Sequence, residues 1–158
     1  MTRLPSLGPR GEGWVAIQGL LLAISAAAGF FGPSWADGTR VATTIVGAVL
    51  IAGGLILAVR GTLDLRDALT PLPYPRPDAE LVETGVYALV RHPIYGGLVL
   101  AAAGWGLLTA SPAALVAGVL LLGFFELKSR REEAWLEQRF TGYAAYRART
   151  RRLIPWIG

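Results

Sequence analysis

At 158 residues the chain has room for one domain and too little for two ordinary ones. Hydrophobic residues make up 53% and charged residues 16%, against roughly 25% charged in soluble domains. The apolar residues collect in four blocks, which excludes a soluble fold because too little polar surface remains to cover them. Cysteine is absent and His92 is the single histidine, which excludes disulfides, thiolate catalysis and a multi-histidine zinc site, so no metal is expected. The isoelectric point near 10.0 is read as basic residues at a membrane face touching anionic lipid, not as a nucleic-acid surface.

The expected fold is therefore an all-α integral membrane protein with four spans in one membrane domain, residues 1–158. The first span, Trp14 to Phe31, carries no charge, with Trp14 and Trp35 placed as interfacial anchors. Its apolar run is longer than a signal peptide's core, and Gly32-Pro33-Ser34-Trp35 does not resemble a cleavage site, so it reads as a retained helix. A turn-rich loop, Gly32 to Arg40, includes Pro33, Asp37 and Gly38. The second span, Val41 to Val59, has a length close to the hydrocarbon thickness, and its Gly47, Gly53 and Gly54 permit close helix contacts.

These two spans occupy residues 1–60, and residues 61–92 form a connector. It follows an amphipathic stretch from Arg60 with a run, Pro71-Leu72-Pro73-Tyr74-Pro75-Arg76-Pro77, that forbids regular helix. Residues 93–158 hold a helical hairpin, Pro93 to Thr109 and Pro112 to Phe125, and the C-terminal segment. Pro93 suits a first helical turn and Ser111 an N-cap. Glu126 to Arg139 is strongly helix-forming, so the fourth helix is expected to extend beyond the bilayer. Of the Lys and Arg residues, two precede the first span, four lie between the second and third, and eight follow the fourth, leaving Arg40 alone on the other side. The positive-inside rule places both termini, the connector and the extension in the cytoplasm.

Three polar clusters share that face. They are Glu80 to Tyr87, Arg91 to Gly96, and Lys128 to Glu133. Arg91 and His92 immediately precede a helix start, where free N–H groups favour a carboxylate or phosphate; the plain alternative is a pair of ordinary interfacial residues, away from any packed core. Gly96 and Gly97 make room for a flat ligand or for another helix. Lys128 and Glu132 share a helix face with Leu136 and Phe140, either as a solvated i, i+4 ion pair or as ligand contacts.

The run Gly85-Val86-Tyr87-Ala88-Leu89-Val90-Arg91-His92-Pro93-Ile94-Tyr95-Gly96-Gly97 resembles the isoprenylcysteine carboxyl methyltransferase family, whose pattern is G-x-Y-x-x-x-R-H-P-x-Y-x-G. Downstream, Glu132-Glu133, Leu136, Phe140, Tyr143, Tyr146 and Leu153-Ile154-Pro155 are also similar to that family, and the likeness covers about Ala79 to Pro155. The resemblance implies S-adenosylmethionine as cofactor. By position, Glu80, Leu81 and Val82 would line it through backbone groups, Tyr87, His92, Pro93, Ile94 and Tyr95 would surround it, and Glu132 would close the far side. The family's substrate-facing residue, one turn before that glutamate, is usually arginine; here Lys128 keeps the charge without the planar fork.

With no G-x-G-x-x-G and no strand-rich region, a Rossmann-type methyltransferase is excluded, so the pocket must be built on membrane helices. The expected chemistry is in-line methyl transfer to a carboxylate, thiolate or amine on a lipophilic or prenylated acceptor entering from the bilayer. No residue is assigned as a catalytic base; for an amine acceptor, Glu132 and Glu133 are the candidates. The rival readings are phospholipid N-methylation, an NADPH-dependent reductase of the sterol type, and a non-catalytic membrane scaffold. Ala-, Gly- and Arg-rich usage with one Lys suggests a bacterium with a high-GC genome, hence its inner membrane.

Overall fold

The computed structural model describes residues 4–31, 34–35, 37–75 and 78–155. Arg3, Gly32 and Pro33 of the first loop, Arg76 and Pro77 of the proline run, and Trp156 lie outside the described residues. The α-helices are α1 (Glu12–Phe31), α2 (Arg40–Leu65), α3 (Pro93–Leu108), α4 (Pro112–Arg139) and α5 (Tyr143–Arg149). No strand occurs among the described residues; a single bridge joins Val90 to Arg151.

Among the described residues three helices, α1, α2 and α4, are long and apolar enough to cross a membrane. Their outer faces carry large apolar side chains with no protein cover, among them Leu20, Phe31, Val41, Val49, Ile56 and Val119. Such a girdle is unfavourable in water and natural in lipid, where hydrocarbon is as apolar as leucine. The fourth apolar helix, α3, has 16 residues, which at about 1.5 Å per residue falls short of the roughly 30 Å hydrocarbon core. It is the central helix of the bundle, packed between α2 and α4, while α1 packs mainly on α4. Because α2 and α4 continue past its N-terminal end, they leave walls without a filling, and the site lies there.

The α2–α3 contact explains a heptad of glycines. Gly47, Gly54 and Gly61 fall on one face of α2, seven residues apart, and are its buried residues. A Cβ on Gly47 would lie 2.6 Å from the Gly104 carbonyl, and one on Gly54 2.5 Å from the Gly97 carbonyl, so the helices touch backbone to backbone. Gly53 points away, with nothing near it. Gly97 thus serves helix packing, and Gly96 makes room for the Leu153 carbonyl of the tail.

Helix α4 runs unbroken from Pro112 to Arg139, as its helix-forming extension leads one to expect. Ser111 caps it, accepting from the Ala114 amide at 3.2 Å and donating to the Ala28 carbonyl of α1 at 2.9 Å. Trp14 departs from its expected place as an interfacial anchor: it is buried, its ring 5.6 Å from that of Phe124 and its indole N–H on the Pro5 carbonyl. The aromatic surface gained by packing α1 on α4 outweighs an interfacial seat.

Candidate active site

Three clasps onto the ends of α2, α3 and α4 build the walls. Helix α2 runs on to Leu65, past the expected end of the span, and there Asp64 accepts the Val86 amide at 2.8 Å. The first glycine of the motif, Gly85, sits at φ 61°, and a Cβ there would collide with the Asp64 carboxylate. Its place in the pattern therefore has a steric cause. Two residues on, the Tyr87 hydroxyl donates to the Gly61 carbonyl at 3.2 Å, tying the end of the connector to α2.

The C-terminal segment forms the third clasp. The amides of Arg91 and His92 donate to the carbonyls of Arg151 and Arg152 at 2.8 and 2.9 Å, and Tyr146 donates to the Tyr87 carbonyl at 2.8 Å. The basic tail, read from sequence only as a cytoplasmic charge, is thus strapped across the entry to α3.

Glu132 and Glu133, adjacent on α4, face different ways. Glu133, with 4% of its side chain exposed, accepts from Arg91 at 2.9 Å, Arg152 at 3.2 Å and His92 at 3.3 Å. Arg91 also donates to the Thr150 and Arg147 carbonyls. A carboxylate held by two guanidinium groups locks α3, α4 and the tail together. Glu132 has 23% of its side chain exposed, lines the cavity, and accepts the Tyr95 hydroxyl at 2.8 Å.

Above it is an aromatic stack. The His92 ring lies parallel to Tyr95 at 5.4 Å, and Tyr95 lies on Phe125 at 4.7 Å. His92, expected at an interface and outside any packed core, is instead buried and committed to Glu133 and Tyr95, because the tail covers the helix start. The free anion site expected at that start is likewise occupied by protein partners. Lys128 is buried, not solvated; its ammonium lies 4.8 Å from the Tyr95 centroid and donates to Gln18 of α1.

These groups surround a cavity of about 360 Å³. Glu80, Leu81, Val82, Tyr87, His92, Ile94, Tyr95, Lys128 and Glu132 all line it, together with Leu136 and Phe140 on the same face of α4. Pro93 does not: it is buried against Gly61 and opens α3, so its contribution is to the wall and not to the lining. Residues that the sequence left without a role also line the cavity, namely Gln18, Leu65, Tyr143, Tyr146 and the connector residues Ala68 to Pro73 and Pro75. The signal for Gln18 was legible, since it is a lone amide in an otherwise apolar span.

The sequence profile of the phospholipid methyltransferase family matches residues 42–142, which takes in nearly all of α2, the connector, α3, α4 and the motif residues from Gly85 to Phe140, but not Tyr143, Tyr146 or Leu153 to Pro155. The chain belongs to this family. It is also similar to the protein-S-isoprenylcysteine O-methyltransferase of Saccharomyces cerevisiae, at 39% identity over 82 residues. That match covers 51% of this chain and 34% of the yeast protein, so the chain spans about a third of its curated relative. Methyltransferases act with a methyl donor, which needs a cavity. The clasped end of the bundle supplies a candidate; helix α1, outside the family match, adds Gln18 to it.

Proposed function

We propose that the protein is an S-adenosylmethionine-dependent methyltransferase that methylates the carboxylate of a lipophilic acceptor, isoprenylcysteine-like or another small isoprenoid or lipid acid. The observation that carries this reading is the cavity itself. It joins a carboxylate (Glu132), a buried ammonium (Lys128) and stacked aromatic rings beside an apolar connector wall.

The residues fit the donor. A volume of about 360 Å³ falls in the range of roughly 300–1,000 Å³ typical of small-molecule sites. Glu132 suits the ammonium of the donor's amino-acid end. Glu80, Leu81 and Val82 offer backbone groups, and Tyr87, Ile94 and Tyr95 offer flat or apolar surface. When bound, the sulfonium supplies an electrophilic methyl group whose transfer needs no metal and no covalent enzyme intermediate. The chain's part is alignment and exclusion of water. Lys128, held by Gln18, would hold the acceptor's carboxylate for in-line attack, forming the O–CH₃ bond as the sulfonium C–S bond breaks. A carboxylate nucleophile releases no proton, so no base is assigned.

The excess of Lys and Arg on the connector, extension and tail supports a cavity facing the cytoplasm, with lipophilic acceptor entering from the bilayer of a bacterial inner membrane. The family's own description favours a second reading, N-methylation of a phospholipid amine, in which Glu132 would take the departing proton. The test is transfer of radiolabelled methyl from S-adenosylmethionine in proteoliposomes supplied with prenylcysteine analogues, fatty acids or phosphatidylethanolamine. A base-labile, volatile product marks a methyl ester. Base-stable label in phospholipid would replace the first reading by the second, and no transfer to any acceptor would overturn both.

A further inference from the structure

Three tyrosines, Tyr87, Tyr143 and Tyr146, line one side of the cavity. Two of them are spent on the wall, Tyr87 on the Gly61 carbonyl and Tyr146 on the Tyr87 carbonyl. The third is different. Tyr143 is 1% exposed, and its hydroxyl has no hydrogen-bond partner among the described residues, although the ring packs against Tyr146 at 5.8 Å. A buried hydroxyl without a partner costs free energy, and in a folded protein it calls for a reason. Burial pushes its pKa far above the usual tyrosine value, so at neutral pH it is a donor that lacks an acceptor.

Its surroundings narrow the choice of acceptor. Tyr143 lies within electrostatic reach of Glu132, Glu133 and Arg91, at the polar end of the cavity, whereas the connector side is formed by leucines and prolines. Arg91 is already engaged by Glu133 and the tail carbonyls, so it offers this end little further donor capacity. Glu132 is the partner for a cation. A zwitterionic amino-acid group presents an ammonium and, one carbon away, a carboxylate that needs a donor of its own. Lys128 and Gln18 serve the other ligand.

We propose that the Tyr143 hydroxyl is a ligand contact, donating a hydrogen bond to the carboxylate at the amino-acid end of the methyl donor. This assignment rests on the methyltransferase reading above and deepens it. The unmet hydroxyl is then stability given up in the empty protein for recognition in the loaded one.

The test compares S-adenosylhomocysteine with 5′-methylthioadenosine, which keeps the nucleoside and lacks the amino-acid end, by calorimetric titration of the detergent-purified full chain. Tyr143→Phe should weaken S-adenosylhomocysteine on the order of tenfold, the scale of a hydrogen bond to a charged group. It should leave methylthioadenosine unchanged, with a thermal midpoint of the unliganded protein no lower than wild type. Tyr146→Phe is the control: it loses a wall bond, so it should lower the midpoint and leave the ratio of the two affinities as it was. Unchanged S-adenosylhomocysteine affinity in Tyr143→Phe, or an equal loss for both ligands, overturns the contact alone. Failure of the wild type to bind S-adenosylhomocysteine overturns the methyltransferase reading, and the contact with it.

Discussion

The two sides of α3 are held by opposite means. Against α2 the contact is dry and nearly without side chains, with glycine carbonyls and amides meeting across the helix pair. At its entry, against α4 and the tail, it is polar, a carboxylate shared by two guanidinium groups and an imidazole, before Val99 and Ala102 join the apolar core with Leu121 and Phe125 of α4. In lipid no hydrophobic drive separates helix from solvent, so close approach is what stabilises the first side. The second side must hold charged groups in fixed positions next to a cavity, which packing alone does not do. Within that polar side, Glu133 serves the architecture and Glu132 faces the ligand space.

The largest effect should come from breaking the polar side. Glu133→Gln leaves the buried Arg91 without its counter-charge, whereas Arg152 keeps Glu126, and removing one partner of a buried ionic group costs about 3–5 kcal/mol. Thermal unfolding in detergent should show the loss, with the tail becoming open to proteolysis. Breaking the dry side comes next. Gly54→Val drives a branched side chain into the Gly97 carbonyl, an overpacking worth about 1–3 kcal/mol or more. Its neighbour makes the contrast sharp: Gly53→Ala, on the open face, should be neutral or stabilising by up to about 1 kcal/mol in the same melt. The smallest change in stability is expected for Glu132→Gln, which keeps an acceptor for the Tyr95 hydroxyl. Its effect should appear in ligand affinity instead, a loss of roughly tenfold, about 1.4 kcal/mol. Equal behaviour of the Glu132 and Glu133 variants in both assays would erase the division of labour between them.

Much of this was legible in the sequence, for physical reasons. Apolar blocks, Pro93 at a helix start, Ser111 as a cap and the continuous α4 rod are local features, fixed by hydrophobicity and capping within a few residues. The motif residues converge because the Ser111 turn folds α3 back against α4. What the sequence hid depends on partners far along the chain. The glycine heptad shows its meaning only when Gly47, Gly54 and Gly61 meet α3, and Gly53 looks equivalent until then. His92 reads as interfacial because nothing local announces that Arg151 and Arg152 will cover it, some sixty residues on. Gln18 is the extreme case: its amide stands out in an apolar span, but its partner Lys128 lies 110 residues on.

The most direct test is the calorimetric titration of S-adenosylhomocysteine into the wild type, Glu132→Gln and folded Glu133→Gln proteins. Saturable one-to-one binding that is weakened in Glu132→Gln, with unfolding as the main defect of Glu133→Gln, is the predicted result. Absence of binding at millimolar ligand, or binding indifferent to Glu132, would contradict a methyl-donor site at this end of the bundle.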